Sequence, residues 1–374
     1  MSDKKKNRGL TMKNTAKTVF AVVLCIIISA SFFIPAGALT DFQKNIDTLT
    51  SGMNATFVYD MSNGKVIYTK NAKSKISIAS TTKLVTSLVA LEVMSPDTVI
   101  TVGNEVYLVK PNSSLSGIYP GHKLKLRTLI AAMLMPSGND AAYTVAVNAA
   151  RAHSGNSTMD SADAVRYFCN LMNEYARKAG CTNTFFVNPE GWDNNNHYST
   201  AEDMAKIAVL AANNAIIAST ANLHKNYFIF ASGHNITWTN SNELLNPDSK
   251  YYYEYAHGLK TGTTYSAGKC LIAYAEKGGR KLLVLAYGCA TDDDRYARVR
   301  DIFEFIYNAP VLGDVDESGT VTAGDARIVL RASVGLEQIT PVLKSRGDIN
   351  KDGNINADDA RMILRASVGL EKLE

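Results

Sequence analysis

Strand-like patterns of apolar and polar residues sit at both ends of a long central segment, with helical spacing between them. Ala55 to Asp60 and Lys65 to Lys70 are rich in Val, Tyr, Ile and Thr, and they flank Ser62-Asn63-Gly64. Two such runs around an Asn-Gly pair predict a β-hairpin. The same character returns late. Lys260-Thr261-Gly262 starts one strand, Cys270 to Glu276 forms the next, and Lys281 to Tyr287 follows through a Gly278-Gly279 turn. Between these ends, Leu84, Val85, Leu88, Val89 and Leu91 follow Ser80 at helical spacing with no Gly or Pro. An apolar run from Leu129 to Met135 stops at Pro136, and Ala141 to Ala150 again reads as helix. One sheet built from the early pair and the late trio brings residue 260 beside residue 80.

From Gly313 the pattern changes and repeats. Gly313-Asp314-Val315-Asp316 recurs as Gly347-Asp348-Ile349-Asn350, and Ala326 to Glu337 recurs almost unchanged as Ala360 to Glu371, a period of 34 residues. Each copy pairs a loop of short oxygen-bearing side chains with a following helix. In the first, Asp314, Asp316, Ser318 and Asp325 hold loop positions one, three, five and twelve, with Gly319 at the sharp turn. In the second these positions hold Asp348, Asn350, Asp352 and Asp359, with Gly353 at the turn. This spacing winds oxygens around one point, which suits calcium, a hard ion that takes about six to eight of them. The carbonyls of Thr320 and Asn354 supply a further ligand each. Two ions are therefore expected, with folding coupled to their binding. Ser318, where the second repeat has Asp352, predicts that the first site is the weaker.

The N-terminus changes the charge picture. Lys4, Lys5, Lys6, Arg8, Lys13 and Lys17 precede an apolar run from Val19 to Ile34 and then Pro35-Ala36-Gly37-Ala38. This reads as a secretory signal, residues 1–38, cut after Ala38. The leader's net +5 exceeds the formal +4 of the whole chain, leaving −1 for the mature protein. Nothing then favours nucleic acid or an electrostatic grip on membranes. Cys169, Cys181, Cys270 and Cys289 form no CxxC pair and read as buried thiols, although Cys270 and Cys289 lie on adjacent strands and could pair. The six histidines are scattered, so a zinc hydrolase has no support.

The candidate chemistry lies in three motifs. Ser-x-x-Lys occurs at Ser2, Ser62, Ser80 and Ser266, but of these Ser80 alone opens an apolar helix. There Ser80 and Lys83 share one face, about one turn apart, and the helix start offers unpaired N–H groups to an oxyanion. Ser-x-Asn occurs at Ser137, between two helices, and at Ser154, in a polar loop that reads as solvated. Lys260-Thr261-Gly262 is unique. Together, Ser80-Thr81-Thr82-Lys83, Ser137-Gly138-Asn139 and Lys260-Thr261-Gly262 are the parts of a serine acyl-transferase whose base is lysine.

With these motifs stand Asn188-Pro189-Glu190-Gly191, His197-Tyr198-Ser199-Thr200, Asn240 to Leu245 and His257 to Gly262. Over residues 40–309 the chain resembles the serine D-alanyl-D-alanine carboxypeptidases of the penicillin-binding protein and serine β-lactamase superfamily. The resemblance implies an α/β domain, residues 39–310, with a five-stranded antiparallel sheet flanked by helices plus an α-helical cluster. It implies that Ser80 attacks the carbonyl between two D-alanines and Lys83 takes its proton, its pKa lowered by burial and by Lys260 as the natural second cation. It gives Ser137 a proton relay to the leaving amine, Asn139 the substrate amide, Thr261 the terminal carboxylate and Gly262 close approach of the substrate backbone. The N–H groups of Ser80 and Thr263 form the oxyanion hole, and Arg295 resembles the family's carboxylate-binding arginine, against a plain surface arginine. No catalytic cofactor is implied; β-lactams are implied as inhibitors.

Residues 311–374 resemble a dockerin, an all-α calcium-binding plug for a cohesin module on a scaffold. Many family members carry a β-rich domain and an amphipathic membrane helix after the catalytic domain; here the repeats follow at once, and no C-terminal anchor is seen. The expectation is a secreted carboxypeptidase acting on peptidoglycan stem peptides. A β-lactamase is the alternative enzyme, although Glu243-Leu244-Leu245-Asn246 lies too near Lys260 to be a deacylation element. An inactive wall-binding module is the alternative without chemistry. Carboxypeptidase, endopeptidase and weak transpeptidase action use the same residues.

Overall fold

The computed structural model describes residues 36–373, with side chains described from Phe42 onward. The signal-peptide reading therefore falls outside the described residues up to position 35, and residues 36–38 open helix α1 (Ala36–Leu49). In chain order follow β1 (Ala55–Asp60), β2 (Lys65–Lys70), α2 (Lys83–Val93), β3 (Val99–Thr101), β4 (Lys123–Lys125), α3 (Leu126–Leu134) and α4 (Asn139–Ser154). Next come α5 (Ser161–Lys178), α6 (Ala201–Ala212), α7 (Ala215–Ala221), β5 (Lys225–Ile229) and β6 (Asn235–Thr239). The long strands β7 (Ala256–Thr264), β8 (Gly268–Lys277) and β9 (Arg280–Cys289) precede α8 (Arg298–Tyr307). Helices α9 (Ala323–Ser333), α10 (Pro341–Gly347) and α11 (Ala357–Ser367) end the chain.

The described chain forms two compact units. One holds Lys44–Glu276 and Lys281–Asp301; the other takes residues up to Gln43, Lys277–Arg280 and residues from Ile302 on. The principal sheet runs β2-β1-β9-β8-β7, so the early hairpin and the late trio join, through β1 and β9, as the pattern requires. β1 is buried along its length, as befits an inner strand. β7 is an edge strand. It begins at Ala256, four residues before Lys260, because a register shift between Ala256 and Leu259 lets pairing with β8 start early.

Helix α2 is the core of the first unit. Lys83 to Ala90 are buried without a break, the signature of a helix surrounded by protein on all sides. Apolar residues of α3, α4, α5 and α6 pack in the same core, which also includes β1, β8 and β9. Among the described residues the four cysteines, Cys169, Cys181, Cys270 and Cys289, are buried free thiols. Among the described residues no single helix is long and apolar enough to cross a membrane.

The second unit has its own small core of Val315, Val329, Leu343, Ile349 and Ile363 with three alanines. Each repeat's helix starts with a capping box, Thr322 with Asp325 on α9 and Asn356 with Asp359 on α11. Helix α10, between the repeats, is an element that the repeat pattern did not anticipate; Thr340 caps it and Pro341 takes its first position.

Candidate active site

Ser80 sits in a 3-10 turn, Ala79–Thr82, that runs directly into α2. It does not cap the helix. Lys83 Nζ lies 2.7 Å from Ser80 Oγ, 2.7 Å from Asn139 Oδ1 and 3.0 Å from the carbonyl oxygen of Glu190. Three short contacts from three segments of chain leave the amine one geometry. Lys83 has no exposed surface, and burial pushes its pKa down to about 7. A free lysine near 10.4 is neutral in roughly one molecule in a few thousand at pH 7; burial raises that share for Lys83. Of the two expected levers, burial is the one that lowers Lys83, against the opposing charges of Glu190 and Asp140. Burial first, and then Lys83 and Arg295, hold Lys260 well below its ordinary value.

Ser137 follows Pro136 on the turn between α3 and α4, with φ at 65°. Left-handed backbone is costly for a residue with a Cβ, on the order of 1–3 kcal/mol, and persists where the surroundings fix it. Here the N–H of Gly138 bonds Ala132 and that of Asn139 bonds Ser114. The next residue locks the same turn. Both carboxylate oxygens of Asp140 accept bonds from the backbone of residues 116–118, including Ser116 N at 2.8 Å. Ser154, read as loop, instead closes α4, with Gly155 behind it at φ 72°.

The third motif lies on β7 against the Ser80 turn. A Cβ on Gly262 would stand 2.9 Å from the Ala79 Cβ and 3.1 Å from the Ser80 nitrogen, so glycine is what permits this contact. Ser241 ties the segment before the second motif to the third: its N–H bonds the Met135 carbonyl, and its hydroxyl lies 2.6 Å from Thr261 Oγ1. Lys260 Nζ bonds the Thr261 carbonyl at 3.0 Å. Arg295 is not a surface residue. It is 9% exposed, donates to Thr263 Oγ1 at 3.1 Å and to Gly262 O at 3.4 Å, and pairs with Asp292 at 2.6 Å.

Two residues passed over by the motif reading support this arrangement. His197 accepts the Val187 N–H on Nδ1, so its Nε2 carries the proton and donates to Thr82 Oγ1 at 2.9 Å. Burial drives its pKa down to about 4, which keeps it neutral. Glu190 presents its carbonyl to Lys83 and buries its carboxyl group beside it. Its segment is held by Thr86, which donates to the Pro189 carbonyl at 2.6 Å, and by Gly191, where any Cβ would collide with the Ala79 carbonyl.

The two repeats of the second unit share a set of loop bonds. Gly319 and Gly353 turn at φ 88° and 84°. Their N–H groups bond Asp314 and Asp348, each at 2.9 Å. Asp325 and Asp359 accept from Val315 and Ile349, again at 2.9 Å. In the first loop, oxygens of Asp314, Asp316 and Asp325 lie within 4.8 Å of one another. That clustered oxygen donor set fits a hard divalent cation.

Residues 43–290 match the family model described as D-alanyl-D-alanine carboxypeptidase, and residues 312–366 match that of the dockerin type I domain. The D-alanyl-D-alanine carboxypeptidase DacA of Escherichia coli is 30% identical over 82% of this chain and 75% of its own length. DacF of Bacillus subtilis is 27% identical over 78% of this chain and 71% of its own. Among solved structures, the Streptomyces K15 DD-transpeptidase superposes with a TM-score of 0.61 at 28% identity, over 68% of this chain and 96% of that one.

Proposed function

Because this chain belongs to the D-alanyl-D-alanine carboxypeptidase family, peptidase S11, and carries a dockerin type I module, we propose that it removes the terminal D-alanine from peptidoglycan stem peptides through an acyl-enzyme on Ser80. The observation that carries the mechanism is the contact of a fully buried Lys83 Nζ with the Oγ of a partly exposed Ser80. Neutral Lys83 accepts the Ser80 proton as Oγ attacks the carbonyl between the two D-alanines. The oxygen becomes an anion facing the N–H groups of Ser80 and Thr263. The C–N bond then breaks, and the departing D-alanine amine takes a proton by way of Ser137. Water attacks the ester, frees the shortened peptide as its carboxylate and returns the proton to Ser80.

Substrate binding follows from the edge position of β7. An extended peptide pairs with an open strand edge, and Gly262 gives its backbone room. Asn139 meets the substrate amide. Thr261, with Arg295 behind Thr263, receives the terminal carboxylate, a match of anion to hydroxyl and guanidinium.

The leader, the calcium loops and the dockerin together support a secreted enzyme held on a cohesin scaffold. Asp314, Asp316, Ser318, Asp325 and the Thr320 carbonyl would hold one calcium; Asp348, Asn350, Asp352, Asp359 and the Asn354 carbonyl would hold a second. The ions contribute folding energy to the module and take no part in catalysis.

Incubation with a pentapeptide ending in D-Ala-D-Ala tests the activity. Free D-alanine and a tetrapeptide are expected, and prior treatment with benzylpenicillin stops their release. Rapid hydrolysis of the penicillin itself, with the peptide untouched, makes the chain a β-lactamase. Neither reaction leaves a wall-binding module.

A further inference from the structure

Glu190 is a buried acid that the mechanism above does not use. Its side chain is 1% exposed. Oε1 accepts a bond from the Tyr143 hydroxyl at 3.0 Å, while Oε2 is buried with no hydrogen-bond partner. Leaving one lone carboxylate oxygen unsatisfied in a dry site costs on the order of 1–3 kcal/mol. Native interiors leave few such groups, and those that persist usually have a task. The charged neighbour with the largest effect on Glu190 is Lys83, whose amine bonds the Glu190 main chain rather than its carboxyl group, and the Asn139 amide stands beside the carboxyl as well.

We infer that Glu190 is a positioning residue for acylation whose buried carboxyl group sets how readily Lys83 gives up its proton. The inference rests on the reading of Lys83 as the base for Ser80.

The surroundings make the direction of the effect plain. Glu190 faces Lys83 on α2, Tyr143 and Asn139 on α4, and the charge of Lys110 from the loop before β4. Lys83 in turn faces Glu190, Asp140 and Lys260. A carboxylate stabilises an ammonium beside it, and the dry setting strengthens the effect. Burial alone would drive Lys83 further down; Glu190 opposes it. Burial likewise raises the pKa of Glu190, while Lys83 pulls it back. The two groups can therefore exist as an ion pair or as a neutral acid and amine at the same total charge. The neutral form has the free amine that Ser80 needs. A Glu at this position tunes the balance between the two forms; a residue without charge would leave Lys83 as base at every pH above a lower threshold.

Glu190→Gln isolates the charge, because the amide keeps the shape and its carbonyl still accepts from Tyr143. The measurement is the second-order rate of benzylpenicillin acylation against pH, from intact mass, for wild type, Glu190→Gln and Lys83→Met. Expected is an acid limb in the wild type that Glu190→Gln moves down by about one pH unit, or about tenfold faster acylation on the acid side. Rates lowered equally at all pH values, with the limb unmoved, would assign Glu190 a structural role and overturn the inference. An unmoved limb with unchanged rates overturns it as well. If the wild type has no acid limb, or Lys83→Met acylates at the wild-type rate, the base reading fails and this inference with it. Should Glu190→Gln fail to fold, Tyr143→Phe decides. Loss of the hydroxyl disfavours the ionised carboxylate, so a smaller shift of the same sign supports the inference and none refutes it.

Discussion

Replacing Lys83 with Met is expected to slow acylation of Ser80 by roughly 10³-fold, within the 10²–10⁴ range that one positioned base contributes. The variant keeps the unbranched shape and the volume, and loses only the amine. Ser80 Oγ then has no proton acceptor at 2.7 Å. Stability should change little. The lost amine removes the cost of burying a polar group with no exposed surface, which offsets the acceptors left behind on Asn139 and Glu190. Stopped-flow acylation with a chromogenic β-lactam, beside a thermal melt of each protein, separates chemistry from folding. A rate within threefold of wild type would remove Lys83 from the mechanism. A lost rate with a melting point more than ten degrees lower would mean that the lysine holds the fold instead.

The second large effect concerns the other unit. Withdrawing calcium from the full chain is expected to abolish the ordered C-terminal module while leaving acylation intact. Asp314 and Asp325 are fully buried in a core of eight small apolar side chains, and such a core rarely stabilises a module of this size without help. An ion that binds only the folded form at a thousandfold its Kd contributes about 4 kcal/mol. Native mass spectrometry should count two ions, and Asp348→Ala should reduce the count to one. Calorimetry with calcium and then with chelator should show a transition that moves to lower temperature on chelation. A count of zero, or melting curves that superimpose, would refute the assignment.

The sequence made some of this legible and withheld the rest for identifiable reasons. The early hairpin was legible to the residue, since β1 and β2 have the limits that the alternation predicts. The late trio was legible in order, but the start of β7 was not, because His257 and Gly258 carry no alternation. The hairpin of β5 and β6 escaped notice although Ser232-Gly233 marks its turn. Ser80, Lys83 and Asn139 could be chosen because order and setting singled them out among repeated motifs. Arg295 could not be resolved: whether an arginine near a helix start is buried depends on β7, which is some 30 residues away in sequence. Glu190 lay inside a recognised segment, yet nothing local says that its carboxyl group is dry. Burial and Lys260 could both be named as levers on Lys83, but their relative weight was not legible for the same reason. Charge identity is written in the chain, whereas desolvation belongs to the packed core.

The central claim is that Ser80 is the acylated nucleophile, and intact-mass spectrometry of the protein with benzylpenicillin tests it most directly. The wild type should gain one penicilloyl mass that persists over minutes, and Ser80→Ala should gain none. An adduct on Ser80→Ala, or an unmodified wild type beside intact penicillin, would contradict the account.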